Sequence, residues 1–177
     1  MSYILLSVSG HDRPGIVRDV SEALLHIHAN VEDSSMTALR GRFTIMMIVR
    51  LPEQETLAEL KASLADLEQR SGLTIQSQPL SADEVACTAP EPDHVVTVSG
   101  ADKMGIVHAV TEALAKLNVS VVDLSTRSHA SEDGDIYMMA LEVAAADRVQ
   151  DMKKALEDVS KLLAVDVDVH AIDTQVL

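Results

Sequence analysis

The chain writes one passage twice, and that duplication limits its fold more than any other feature. Ser9-Gly10-His11-Asp12-Arg13-Pro14-Gly15-Ile16-Val17 returns as Ser99-Gly100-Ala101-Asp102-Lys103-Met104-Gly105-Ile106-Val107, a period of 99 − 9 = 90 residues. Between Val8–Ser35 and Val98–Ser125, 14 of 28 positions are identical, which two unrelated segments would not share. A chain of 177 residues with that period is two small units of roughly 80 residues, each large enough to fold alone around a modest core.

Each copy alternates the two apolar periods that separate strands from helices. Residues 3–9 carry Ile4, Leu6 and Val8 on one face and predict a strand that ends at Gly10. Ile16, Val17, Val20, Ala23, Leu24 and Ile27 then recur at helical spacing, predicting an amphipathic helix over about 14–28 with Pro14 in its first turn. A polar strand from Asn30 to about Ala38, a turn at Arg40-Gly41 and a strand at 43–49 follow. The last of these is apolar on both faces, as is its counterpart 136–143, so cover by the other repeat or by another subunit is expected. Pro52, Glu53 and Glu55 open a second helix through Leu57, Leu60, Leu64 and Leu67, Gly72 stops it, and Leu73 to Gln78 closes the copy as a strand.

The second copy repeats the order: a strand at 94–99, a helix at about 104–118 and a strand from Ser120 to about Ser128. An acidic hairpin tip at 131–135, the strand Ile136–Val143 and a helix opened by Asp147 with Gln150 as a capping pair come next. Its stripe is Val149, Met152, Leu156 and Val159, and in the final strand Val165, Val167 and Val169 alternate with Asp166, Asp168 and His170. The expected class is α+β: two ferredoxin-like βαββαβ domains in tandem, each an antiparallel four-stranded sheet with both helices on one face. Boundaries fall at 1–80 for the first domain, 81–92 for a linker carrying Pro90 and Pro92, and 93–177 for the second.

Composition removes several classes of function. A net charge of −14 without a Lys/Arg run repels phosphate backbones, and two Tyr, one Phe and no Trp give no base-stacking platform, so no direct nucleic-acid binding is expected. One cysteine, Cys87, makes neither an intramolecular disulfide nor a Cys-rich metal site, and no run approaches the roughly 20 apolar residues of a membrane span. A soluble cytoplasmic protein with no membrane partner is the expectation. His26 and His28 are two apart and face different sides of a helix, so no metal is expected; no catalytic motif stands at a recognisable spacing, so no enzyme and no cofactor are expected. His11 and Asp12 are the residues a small enzyme would have to use.

The turn Gly10–Val17, followed by Asn30-Val31-Glu32-Asp33, resembles the ACT domain family, small ferredoxin-like modules that bind amino acids and regulate metabolism. Gly100–Val107 and Ser120–Asp123 match it in the second copy, with Lys103 for Arg13 and Met104 for Pro14, and the resemblance covers about residues 3–173. Tandem copies without an attached enzyme are similar to the glycine cleavage repressor group. The resemblance implies a regulatory protein that binds a small amino acid, glycine or serine favoured, and acts through a protein partner. The alternative it implies is a trans-acting regulatory subunit of an amino-acid metabolic enzyme.

It also implies a ligand site of Gly10, His11, Asp12, Arg13, Pro14, Gly15, Ile16 and Val17, with Asp102, Lys103, Met104, Gly105, Ile106 and Val107 in the second copy. Asn30, Asp33, Ser120 and Asp123 of a neighbouring unit would complete it, and a homo-oligomer of at least two chains is expected. The chemistry is plain: glycine admits a ligand close to the backbone, and the first N–H groups of a helix attract a carboxylate. Other roles stand beside this one. Asp12 and Asp102 suit helix caps, Gly15 and Gly105 suit close helix–sheet packing, and Arg13 and Lys103 suit solvated surface charge. Met104 in place of proline is expected to loosen the second turn, which favours the first copy as the binding one.

Overall fold

The structure is a computed structural model that describes residues 2–130 and 135–172. The chain divides into two compact units, Met1–Thr88 and Ala89–Leu177. The first runs β1 (Ser2–His11), α1 (Ile16–His26), β2 (Asn30–Leu39), β3 (Arg42–Leu51), α2 (Leu57–Ser71) and β4 (Thr74–Leu80). A short helix, α3 (Ala82–Ala86), follows inside the stretch read as linker, capped by Ser81 and Glu84. The second unit runs β5 (His94–Ala101), α4 (Ile106–Lys116), β6 (Ser120–His129), β7 (Ile136–Ala144), α5 (Val149–Leu163) and β8 (Asp166–Ala171). The acidic tip at 131–134 lies outside the described residues.

Each unit holds one antiparallel sheet, ordered β2-β3-β1-β4 in the first and β6-β7-β5-β8 in the second. The α+β ferredoxin-like arrangement is therefore present twice. In unit one, Ile4, Leu6 and Val8 of β1 and Phe43, Ile45, Met47, Val49 and Leu51 of β3 bury one sheet face beneath Val20 and Leu24 of α1 and Leu60, Leu64 and Leu67 of α2. Val96, Val98, Met139, Leu141 and Val143 do the same beneath α4 and α5. Truncating any of these to alanine removes transfer energy and leaves a cavity, at about 2–5 kcal/mol for a leucine.

The second face of the sheets is partly open in the single chain. Met46 is 53 % exposed and Met138 45 %, while Ile48 and Ala140 on the same faces are half-buried. Their cross-strand neighbours explain it: Met46 lies opposite Ser7 and Ser35, and Met138 opposite Ser99 and Arg127, so the face is mixed.

Helix starts also shift. α1 begins at Ile16, not 14, with Gly15 as its cap residue, so Pro14 stands outside the helix. α2 begins at Leu57, because Thr56, four residues past Pro52, forms a reciprocal capping box with Glu59. The pair Asp147 and Gln150 caps nothing: Asp147 sits in a 3-10 turn, Ala146–Arg148, and Arg148 precedes α5 without a side-chain cap.

Candidate functional site

Both copies of the repeated passage fold into the same strand-to-helix turn. The Asp12 N–H donates to the Gly41 carbonyl at 2.9 Å, tying the turn to the tip of the β2–β3 hairpin, where Arg40 and Gly41 both take positive φ. The chain then reaches Gly15 at φ 84, ψ 2, and α1 starts with Ile16 driven into the core. In the second copy the Asp102 N–H donates to the Asp135 carbonyl at 2.9 Å and Gly105 has φ 93, ψ −2, with Ile106 buried beyond it. The two turns therefore share one backbone. Met104, like Pro14, stands before the helix, and its side chain is 96 % exposed.

The glycines divide the work. A Cβ on Gly10 would stand 2.5 Å from Leu73 Cδ2, and one on Gly100 would stand 3.0 Å from Val165 Cγ1 and 3.3 Å from the Val165 Cα, so these two allow the strand to pass under the chain entering β4 or β8. Gly15 and Gly105 have open space where a Cβ would go, which removes the close-packing role considered for them; they supply a left-handed backbone at the helix entry. Neither Asp12 nor Asp102 caps its helix, and no side chain accepts from the first turn of α1 or α4. An uncapped N-terminus keeps its N–H groups directed outward, the arrangement that takes an anionic group.

The charged side chains are not free surface charges. Arg13 Nη2 donates to Asp19 Oδ2 at 2.5 Å, and Arg18 Nη2 donates to Asp19 Oδ1 at 2.7 Å. These bonds, Arg13's first, hold the Asp19 carboxyl below its usual range. Lys103 Nζ donates to the Leu163 carbonyl in the last turn of α5, at 2.7 Å, and Asp102 accepts from Ser128 Oγ at 2.8 Å. The first turn of α4 holds no acidic residue, whereas Asp19 stands in that of α1. A recess of about 290 Å³ opens at the second turn, lined by Lys103, Gly105, Ile106, Val107, His108 and Tyr137. Burial, with Asp102's charge adding to it, pushes the Tyr137 phenol up despite a hydrogen bond from Thr126 that works the other way.

His11 is exposed at the end of β1, and Val17 is exposed while Ile16 is buried. Asn30 and Asp33 are exposed on β2, on either side of a bulge, and Ser120 and Asp123 flank the matching bulge on β6. Within one unit they are not beside the turn. Asn30 pairs with Arg50, which pairs with Tyr3, while Gly10 pairs with Phe43, which pairs with Ala38; at about 3.3 Å per strand residue the two ends are roughly 20 Å apart. Near Asn30 the polar chemistry is structural: Asn30 Nδ2 and Arg50 Nε donate to Glu32 Oε1 at 2.9 and 2.6 Å.

Sequence reasoning missed Gly41, Ser128, His108 and Tyr137. Tyr137 and Phe43 did leave a signal, since two of the chain's three aromatics lie opposite the equivalent Gly100 and Gly10. Among the described residues no three His, Cys, Asp or Glu side chains are grouped to hold a metal, and no helix is long and apolar enough to cross a membrane.

The ACT domain family pattern matches the chain twice, over residues 2–78 and 94–161, the stretches that hold these two turns. The chain belongs to the ACT domain family. This tandem ACT protein is 36 % identical over 76 residues to a UPF0237 protein of Methanopyrus kandleri, covering 42 % of this chain and 84 % of that one. It is 36 % identical over 80 residues to a UPF0237 protein of Pyrobaculum aerophilum, covering 45 % and 87 %. The crystal structure of an unknown protein from Galdieria sulphuraria superposes with a TM-score of 0.79 at 32 % identity, over 97 % of this chain and 98 % of that one. A candidate glycine cleavage system transcriptional repressor superposes with a TM-score of 0.72 at 18 % identity, over 97 % of each chain, a likeness of fold.

Proposed function

We propose that this tandem ACT protein is an amino-acid-binding regulator without catalytic activity of its own, whose ligand sits at the glycine turns between β1 and α1 and between β5 and α4. The observation that carries the reading is the pair of uncapped helix N-termini entered through Gly15 and Gly105 in a left-handed conformation. Their N–H groups suit an α-carboxylate, and Asp12 or Asp102 suits the ammonium group. The second copy is the better acceptor, since its first helical turn carries no acid and a recess adjoins it, whereas Asp19 stands in the first turn of the other. Pro14 against Met104 is not the deciding difference.

Glycine and serine are the favoured ligands. With a net charge of −14, control of transcription would pass through a DNA-binding partner, as a glycine cleavage repressor type of regulator in the cytoplasm. Open apolar positions such as Met46 and Met138 support a protein contact on the sheet faces, either with a second copy of the chain or with an amino-acid metabolic enzyme that the protein regulates in trans. Isothermal titration with glycine and with serine tests the sensor. Saturable heat that Gly105→Val lowers in a protein that still folds supports it; no heat from either, and no shift in melting temperature, overturns it. Sedimentation with and without ligand tests self-association.

A further inference from the structure

We propose that the first unit carries a further site beside its glycine turn, sharing Arg13 with it: a cleft between α1 and α2 that takes a zwitterionic amino acid by its two opposite charges. The cleft measures about 360 Å³, within the size range of small-ligand pockets, and three of the chain's eight arginines, Arg13, Arg18 and Arg70, line it together with Asp19, Glu22 and Asp66. Formal charge in the lining sums to zero in a chain of net charge −14, so the cleft is set apart from the surface around it.

The bonding inside it leaves charge of both signs available. Asp19 is shared by two guanidinium groups, Arg13 on one oxygen and Arg18 on the other, which leaves that trio one positive charge in excess, faced by the Glu22 carboxylate near Arg18. Arg70 Nε holds Asp66 through a single oxygen at 2.8 Å, leaving the second oxygen to accept. Guanidinium forks suit a carboxylate bidentately, and Glu22 with the free Asp66 oxygen suits an ammonium. A dianion such as phosphate would face all three carboxylates. A zwitterion meets each sign with its opposite.

The duplication supplies an internal control. Gly10 and Gly100 fix the α1 and α4 equivalence, and Ile75 and Val167, which lie opposite Val8 and Val98, fix that of the α2 and α5 regions. On that alignment Arg18 becomes His108, Asp19 becomes Ala109 and Arg70 becomes Leu162, Lys103, in place of Arg13, is spent on the Leu163 carbonyl, and Glu22 and Asp66 keep their acids as Glu112 and Asp158. The same fold does not need this charge pattern in order to pack its two helices. The first unit keeps it without a structural requirement, which is what a binding role explains.

The test uses the full chain and the twenty common L-amino acids, with acetate and methylammonium as probes of one sign each. Arginine Nε–H resonances and titration calorimetry are the readouts. The expected result is at least one amino acid that shifts the Arg18 and Arg70 signals, binds more tightly than either one-charge probe, and loses at least tenfold in affinity in Arg18→Ala/Arg70→Leu while keeping it in Gly105→Val. Those resonances staying unmoved by every amino acid overturns the site, as does affinity indifferent to the double substitution or equal binding of acetate. Heat that survives the double substitution and disappears in Gly105→Val assigns all binding to the glycine turn and removes the cleft.

Discussion

Two glycines five positions apart do unlike things, and substitution separates them. Gly10→Ala pushes a methyl to within 2.5 Å of the Leu73 side chain, so its cost is overpacking, about 1–3 kcal/mol, and shortening Leu73 relieves part of it. Gly15→Ala meets no neighbour, and its cost is that of an L-residue held at φ 84, about 1–2 kcal/mol, which no change at Leu73 relieves. Urea unfolding of the two single variants and of each combined with Leu73→Ala measures this. Equal coupling in both pairs would show that the glycines act through the same contact. The repeated motif was legible as a motif because its residues are identical between copies. What each glycine does was not, because the approach of Leu73 to Gly10 joins chain segments about sixty residues apart and the left-handed φ of Gly15 is set by the backbone of the turn.

At the scale of elements, periodicity placed every strand and long helix, since each buries one stripe or one face and the stripe is written in the sequence. Boundaries were harder. Pro14, Pro52 and Asp147 all suggest helix starts by residue type, yet the starts follow Gly15, Thr56 and a 3-10 turn, where backbone dihedrals and reciprocal hydrogen bonds decide. The helix ends offer a direct comparison. α2 stops at Gly72 with φ 67, and α5 stops at the equivalent Ala164 with φ 50, an alanine in the left-handed conformation that glycine adopts freely. Ala164→Gly is expected to stabilise the second unit by about 0.5–1 kcal/mol and Gly72→Ala to destabilise the first by about 1 kcal/mol. Denaturant midpoints of the two variants check the pair, and a loss of stability in Ala164→Gly would mean that backbone entropy outweighs relief of the strained φ. Thr56→Ala, which removes the α2 capping box, is expected to cost about 1 kcal/mol by the same measurement.

On the scale of the whole chain, the buried apolar residues among those described form two clusters, one drawn entirely from residues 4–73 and the other from 96–165, each within its own half. Residues 1–88 and 89–177 are therefore each expected to fold when produced separately, with cooperative thermal transitions; a half that stays unfolded alone would show that its core is not sufficient. In the second half, part of the response to acid is expected to run through Asp93. Its N–H donates to the Val143 carbonyl and its carbonyl accepts from Ile172, while its carboxylate accepts from the Ala145 and Ala146 N–H groups at 2.9 and 2.7 Å and contacts His94. Desolvation alone would raise that carboxyl, but the hydrogen bonds from Ala145, His94 and Ala146 together outweigh it and hold it below the ordinary carboxylate value. A carboxyl lowered on folding adds stability above its unfolded pKa, near 4, and loses it as pH falls through the lower folded value. Asp93→Ala should therefore weaken the second half at pH 7, with the gap from the parent narrowing as pH drops below about 4; a gap constant with pH would mean that the ionised carboxylate contributes nothing and that the loss comes from packing alone.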